Sequence, residues 1–240
     1  MTETTLQRAA LPRRRGGPTG YEYEDGICRP LRPFQKPLSV LLVVYVASCA
    51  LFGLTALYWF VDNRFFDAEA LAYTDPEGEE ALILALGIFS LMAIAERLLM
   101  FTCAFLVGRF TFRAMKNIYT VRSPVPDMSP IGTVLWYLVP FANFVKPSQG
   151  VYEIYQGSFE EVGLPVKNGV VSKWWAAWII SLVAGMVSNF SYASSAVVFG
   201  AVIIWVIAAA IAAFLLRGII NEVAEVQEAM IVGGRVSAFD

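Results

Sequence analysis

The sequence predicts an all-α integral membrane protein with four transmembrane helices, and with a half-inserted segment and an amphipathic interfacial helix between the second and third. Three observations lead to this prediction. The hydrophobic content is 57% over 240 residues, the charges are unevenly distributed, and four apolar runs are each long enough to cross roughly 30 Å of hydrocarbon as a helix. These runs are 38–61, 81–108, 171–190 and 196–216.

The positive charges predict the orientation of these spans. Of the 18 Lys and Arg, all but Arg64 and Arg97 fall in three segments that an up-down-up-down threading puts on one side, 1–36, 109–173 and 217–240. Acidic residues dominate the loop 62–80 on the other side. Because basic loops stay in the cytoplasm, we expect a multi-pass protein of the cell inner (plasma) membrane with both termini cytoplasmic.

The chain outside the spans divides into three kinds of segment. Residues 1–36 are rich in Arg, Pro and Gly without apolar periodicity, which predicts a disordered basic cytoplasmic tail. Residues 37–220 form the predicted four-helix membrane domain. Residues 221–240 form a cytoplasmic C-terminal helix and tail, which Gly233 and Gly234 are expected to stop. We expect the acidic residues of this helix to lie against the basic central segment.

The central segment contains the two unusual elements. Residues 131–146 begin with an apolar run about half a membrane thick and include Pro140, which disfavours continued helix. We interpret them as half-inserted rather than as a fifth span. From 147 to 162, apolar residues recur at helical spacing and predict an amphipathic helix on the cytoplasmic face, with the apolar face formed by Val151, Tyr152, Tyr155 and Phe159.

No catalytic motif stands out. The chain has no histidine, which removes imidazole bases, histidine metal ligands and the usual nucleophile–histidine pairs. Its 3 cysteines form no Cys-x-x-Cys pair, so neither a zinc site nor a disulfide framework is indicated. We therefore predict no enzymatic activity, no cofactor, no metal and no nucleic-acid partner.

Glu96 and Arg97 are the charged residues placed well inside a span. Ionisable groups in hydrocarbon are costly and are functional candidates by default. Glu96 would carry a proton or ion, and Arg97 would bias it. Alternatively, the two charges hold helices together.

A second candidate cluster lies at the cytoplasmic mouth of the second span. Arg113 and Glu153 are expected to form an ion pair, and Asn143 is expected to bond backbone groups freed by Pro140. The cluster is either a structural clamp or the lining of a water-filled cavity.

The same residues carry a family resemblance. The motifs Phe-Thr-Phe-Arg-Ala-Met-Lys-Asn, Pro-Phe-Ala-Asn-Phe and Trp-Trp-Ala-Ala-Trp resemble the membrane family known as domain of unknown function 4328. The resemblance implies a bacterial multi-helix membrane protein without established activity. Its family-motif cluster, structural or binding, comprises Phe110, Arg113, Asn117, Trp136, Pro140, Asn143, Pro147, Glu153, Trp174, Trp175 and Trp178.

Two functional hypotheses follow. The first is a non-enzymatic scaffold or interaction module in contact with the lipid bilayer, which binds a partner membrane protein or forms a homo-oligomer through its cytoplasmic face. The second is a small transporter or channel that uses Glu96. A membrane-embedded enzyme is the weakest reading because the residue types it needs are missing.

Overall fold

The structure is a computed structural model that describes residues 21–23, 26–62, 76–189 and 195–236. A short hairpin comes first, and helices follow. The elements are β1 (Tyr21–Tyr23), β2 (Gly26–Cys28), α1 (Arg32–Asp62), α2 (Pro76–Thr120), α3 (Gly132–Leu135), a 3₁₀ helix (Ala142–Phe144), α4 (Lys146–Glu161), α5 (Val170–Val187) and α6 (Ser195–Val236).

Four of these helices, α1, α2, α5 and α6, are long and apolar enough to cross a membrane. The predicted fold class is therefore confirmed at this level. Most of the predicted acidic loop and the turn near residue 191 lie outside the described residues. The C-terminal helix is not a separate element, because α6 runs without interruption to Val236 and the predicted stop at Gly233 and Gly234 is wrong.

The N-terminal segment differs from its prediction. Residues 1–20 lie outside the described residues, but β1 pairs with β2, and α1 begins at Arg32 instead of residue 38. Cys28 and Leu31 are each 1% exposed. The prediction of disorder is therefore wrong for residues 26–36, because two apolar side chains in this Arg- and Pro-rich segment are buried against the protein.

The described residues form two compact units. Unit 1 contains 21–23, 26–37, 106–168 and 218–236, and unit 2 contains 38–62, 76–105, 169–189 and 195–217. Each long helix except α5 contributes a segment to both units.

Unit 2 packs around Trp205 on α6. The ring lies 5.5 Å from the Phe52 ring of α1, edge to face, and 5.8 Å from the Arg97 guanidinium of α2. A Cβ atom at Gly185 of α5 would lie 3.4 Å from the Trp205 ring, so that glycine lets the two helices approach closely. All four long helices therefore meet at this side chain.

The outward surface of unit 2 is apolar. On α1 the buried residues recur at three- and four-residue intervals, whereas the residues between them are exposed apolar side chains such as Val40, Leu51 and Leu54. An exposed apolar surface around a helical bundle is what a bilayer requires.

In unit 1, α4 is held close to its neighbours by two glycines. A Cβ atom at Gly150 would lie 3.1 Å from the Thr133 methyl group, and one at Gly157 would lie 3.1 Å from a methyl group of Ile118. The predicted apolar face is mostly buried inside the protein, with Val151, Tyr155 and Phe159 covered. Only Tyr152 of that face is exposed, so these buried side chains are not available to a lipid surface.

The segment 131–145 projects apolar side chains outward. It consists of α3, a turn and the 3₁₀ helix, and it does not form a spanning helix. Phe141 is 86% exposed and Leu138 is 77% exposed. Phe141 also has a φ of +62°, which is rare for a bulky residue. The backbone therefore adopts a costly conformation at the most exposed aromatic residue of the segment.

Candidate functional site

Asn117, near the end of α2, binds the backbone of the N-terminal segment through its side-chain amide. The Arg29 N–H donates to Asn117 Oδ1 at 3.1 Å, and Asn117 Nδ2 donates back to the Arg29 carbonyl at 2.9 Å. The same Nδ2 donates to Gln227 Oε1 at 2.8 Å. The side-chain amide therefore uses both of its donors and pairs with the backbone as another peptide group would.

Gln227 on α6 extends this network to α4. Its Nε2 donates to the Ala114 carbonyl at 3.1 Å and to Ser158 Oγ at 2.9 Å. Ser158 Oγ in turn donates to the Ile154 carbonyl at 2.6 Å. Gln227 and Ser158 are fully buried. Because each donor has an acceptor, the network joins four chain segments without leaving a buried amide unsatisfied.

Cys28 anchors the N-terminal segment in unit 1. Its side chain packs in a cluster with Met230 and Ile231 of α6, beside Val121 and Val162. The thiol lies 3.6 Å from the Asn117 carbonyl, to which it donates. Burial raises the pKa of this thiol to about 12. Cys28 therefore remains a protonated, weakly nucleophilic thiol at neutral pH.

Glu153 of α4 holds the loop that follows α2. Its Oε2 accepts the N–H groups of Asp127 and Met128 at 3.1 and 3.0 Å, and its Oε1 accepts from Gln149 at 3.1 Å. The expected ion pair with Arg113 is not among the described contacts of Glu153, so that hypothesis is wrong. Backbone amides satisfy the buried carboxylate instead.

Backbone hydrogen bonds also satisfy the turn at Pro140. The Ala142 N–H donates to the Pro140 carbonyl at 2.7 Å, and the Asn143 N–H donates to the Val139 carbonyl at 2.9 Å. The expected role of the Asn143 side chain is not observed among the described contacts. Nearby, the Lys146 ammonium lies 5.9 Å from the Trp136 ring centroid.

Glu222 connects α6 to the central segment, as expected for the acidic C-terminal helix. The Tyr155 hydroxyl donates to Glu222 Oε2 at 2.5 Å, and Lys167 Nζ donates to Oε1 at 2.6 Å. Burial raises the pKa of Tyr155, and the hydrogen bond to the Glu222 carboxylate adds to this increase. Glu225, in contrast, is exposed, and Glu228 is half-buried with an Oε2 that makes no hydrogen bond. Among the described contacts of these three acids, the bonds to the central segment are therefore those of Glu222.

Glu96 lies in unit 2 and is the one residue between 83 and 102 that is buried. Its side chain is 4% exposed, and Oε2 lies 3.3 Å from the Nε of Arg97, whose side chain is 51% exposed. Tyr45 lies beside the carboxyl group, but the buried Oε1 makes no hydrogen bond. A carboxyl group is therefore buried on a stretch of helix whose other side chains are half-buried or exposed.

The predicted motif residues are divided between the units. Phe110, Asn117, Pro147 and Glu153 are buried in unit 1, which also contains the less buried Arg113, Trp136, Pro140 and Asn143. Unit 2 contains the three tryptophans of α5, of which Trp174 and Trp175 are buried with ring centroids 5.2 Å apart.

Three members of the network were missed in the sequence. Gln227 follows Val223 by one helical turn on the apolar stripe of α6, so a neutral polar residue on a buried face was the available signal. Ser158 is a similar case on α4. The third member is the backbone of Arg29, which no pattern of side chains in the sequence could indicate.

The four long apolar helices are typical of a multi-helix membrane protein. The chain belongs to the family described as domain of unknown function (DUF4328), whose model matches residues 67–229. The resemblance found in the sequence is thereby confirmed. No curated protein and no solved structure matches the chain.

Proposed function

We propose that this protein is a non-enzymatic scaffold of the plasma membrane and that residues 131–145 of unit 1 are its working surface. The observation that carries the proposal is the outward apolar face of this segment. Its exposed side chains are Ile131, Leu135, Leu138, Val139, Phe141, Phe144 and Val145. Exposed apolar surface of this kind marks a membrane or protein contact.

The surrounding structure supports this role. Glu153 fixes the preceding loop, and Gly150 brings α4 against Thr133 at the start of the segment. A binding surface works best on a rigid support. We therefore propose that the segment enters the bilayer halfway and offers its apolar face to a partner membrane protein or to a second copy of the chain.

Packing within unit 1 supports the proposed topology independently of charge. Segments that pack together outside the hydrocarbon lie on one side of the membrane, and we propose this position for the unit 1 segments 26–37, 106–120, 146–161 and 218–232. Two apolar helices lie between the first pair of segments and two between the last pair. An even number of spans between packed segments fits four crossings, with 131–145 entering and leaving the membrane on the same side. The basic residues favour the cytoplasm for that side.

Photocrosslinking in native membranes tests the working surface. A benzoylphenylalanine probe at Leu138 should give a discrete protein adduct, whereas the same probe at Tyr152, an exposed residue of α4, should not. Adducts with lipid alone would support half-insertion but reject the scaffold role of this surface. No adduct with either would reject both.

The buried carboxyl group supports a second candidate, a small proton or ion carrier. The inward position of Glu96 and its unbonded Oε1 are the observations that favour it. If the protein is a carrier, Glu96→Gln should reduce proton flux into proteoliposomes at least tenfold, because the amide does not ionise. Glu80→Gln, at an exposed position of α2, is the matched control. Equal flux in wild type and Glu96→Gln would reject the carrier.

A further inference from the structure

The binding site for the N-terminal segment shares no residue with the surface 131–145, and most of its residues lie within the range that matches the family. Asn117, Ser158 and Gln227 lie within the matched range 67–229, whereas residues 26–31 precede it. Only Met230 and Ile231 of the Cys28 cluster fall just beyond the match. The family domain therefore carries most of a site that a segment outside the domain fills.

The site recognises backbone instead of a particular charged or aromatic side chain. Asn117 contacts both backbone polar groups of one residue, the N–H and the carbonyl of Arg29, while the Arg29 side chain remains exposed. One residue earlier, the cluster around Met230 accepts the small Cys28 side chain. Backbone bonds combined with a small pocket are a general way to hold an extended peptide.

We propose that unit 1 contains a peptide-binding site formed by Asn117 and by the cluster of Met230 and Ile231 that surrounds Cys28. Residues 26–31 occupy this site as a strap that can exchange with another peptide. The strap joins the basic N-terminal tail to the C-terminal half of α6. The partner class is an extended peptide with a small apolar side chain followed by a residue with a free backbone N–H. The chain's own segment is the occupant, because it is covalently attached and therefore present at high local concentration.

Labelling of the native cysteines by a maleimide tests the proposal in the full chain. Cys28, Cys49 and Cys103 are all buried, so each labels only when its surroundings open. Mass spectrometry resolves the three sites. Asn117→Asp removes the amide donor to the Arg29 carbonyl. It should raise the Cys28 labelling rate at least tenfold more than it raises the rates of Cys49 and Cys103, because the strap opens in addition to the general loss of stability. An increase by one common factor at all three cysteines would mean that labelling follows unfolding of the entire chain, and would overturn the separable strap.

Peptide competition on the wild-type chain tests exchange directly. The competitor has the sequence of residues 24–33 with aminobutyrate in place of cysteine. Because it binds only the open state, the Cys28 labelling rate should rise in proportion to peptide concentration. The same peptide N-methylated at the position of Arg29 lacks the N–H that Asn117 accepts and should have no effect. Equal effects of both peptides, no effect of either, or rapid Cys28 labelling in the untreated protein would each overturn the proposal.

Discussion

Replacing Asn117 by Asp should lower the free energy of unfolding by about 3 kcal/mol or more, the largest effect that we expect from one isosteric change. Asn117 Nδ2 donates to both the Arg29 carbonyl and Gln227 Oε1. A carboxylate oxygen at that position would instead face two acceptors inside the protein. The lost bonds and the buried charge both act against folding. The measurement is denaturant unfolding in detergent.

Asn168→Asp is the matched control, since it makes the same chemical change at an exposed position of unit 1. Its unfolding midpoint should remain within the error of the wild type. Similar losses in both variants would mean that added charge destabilises the protein in general, and the role of the Asn117 network would then have to be rejected.

Replacing Glu153 by Ala should release the loop 121–131. The change leaves the buried N–H of Met128 and the partly buried N–H of Asp127 without their acceptor, at a cost of about 1–3 kcal/mol by the usual penalty for one unsatisfied buried group. Trypsin cleavage after Arg122, within this loop, should become at least tenfold faster. The readout is local, so it separates loop release from global unfolding.

Glu153→Gln distinguishes a structural role from a role for the charge. One amide carbonyl can accept both loop N–H groups, and Gln149 can reverse its own amide to pair with the new donor, with the loss of only its partly buried hydrogen bond from Lys146. The Gln variant should therefore resist trypsin almost as well as the wild type. Glu160→Ala, at an exposed position of the same helix, should also leave the rate of trypsin cleavage unchanged. Rapid cleavage of Glu153→Gln would show that the loop requires the negative charge.

The sequence predicted the long helices because apolar length is a local property. Each run that can cross a bilayer is visible without knowledge of its neighbours. The helical stripe of α4 was visible for the same reason, and Val151 and Tyr155 are buried as the spacing indicated. Tyr152 was assigned to the wrong face because tyrosine is also compatible with an exposed position.

The tertiary contacts were harder to predict, because several of them involve the backbone. Charge complementarity suggested that Glu153 would pair with Arg113, but loop amides compete equally well for a buried carboxylate. Cys28 and Leu31 were placed in a disordered tail because two buried side chains among Arg and Pro produce no periodicity. Asn117 was singled out by the family resemblance, whereas its partner, the Arg29 peptide group, has no sequence signal.

The polar core of unit 1 also has a consequence for biosynthesis. Its partners are translated far apart, with Arg29 first and Gln227 last, after both α5 and most of α6. While the ribosome is still producing α5, the Asn117 and Ser158 side chains are made but lack the glutamine that bridges them. In the proposed topology, the core closes only once the last apolar helix has emerged and Gln227 lies on the same side of the membrane as Asn117. Completion of this network would then report correct insertion of the entire chain, and a misinserted chain would expose unpaired amides to quality control.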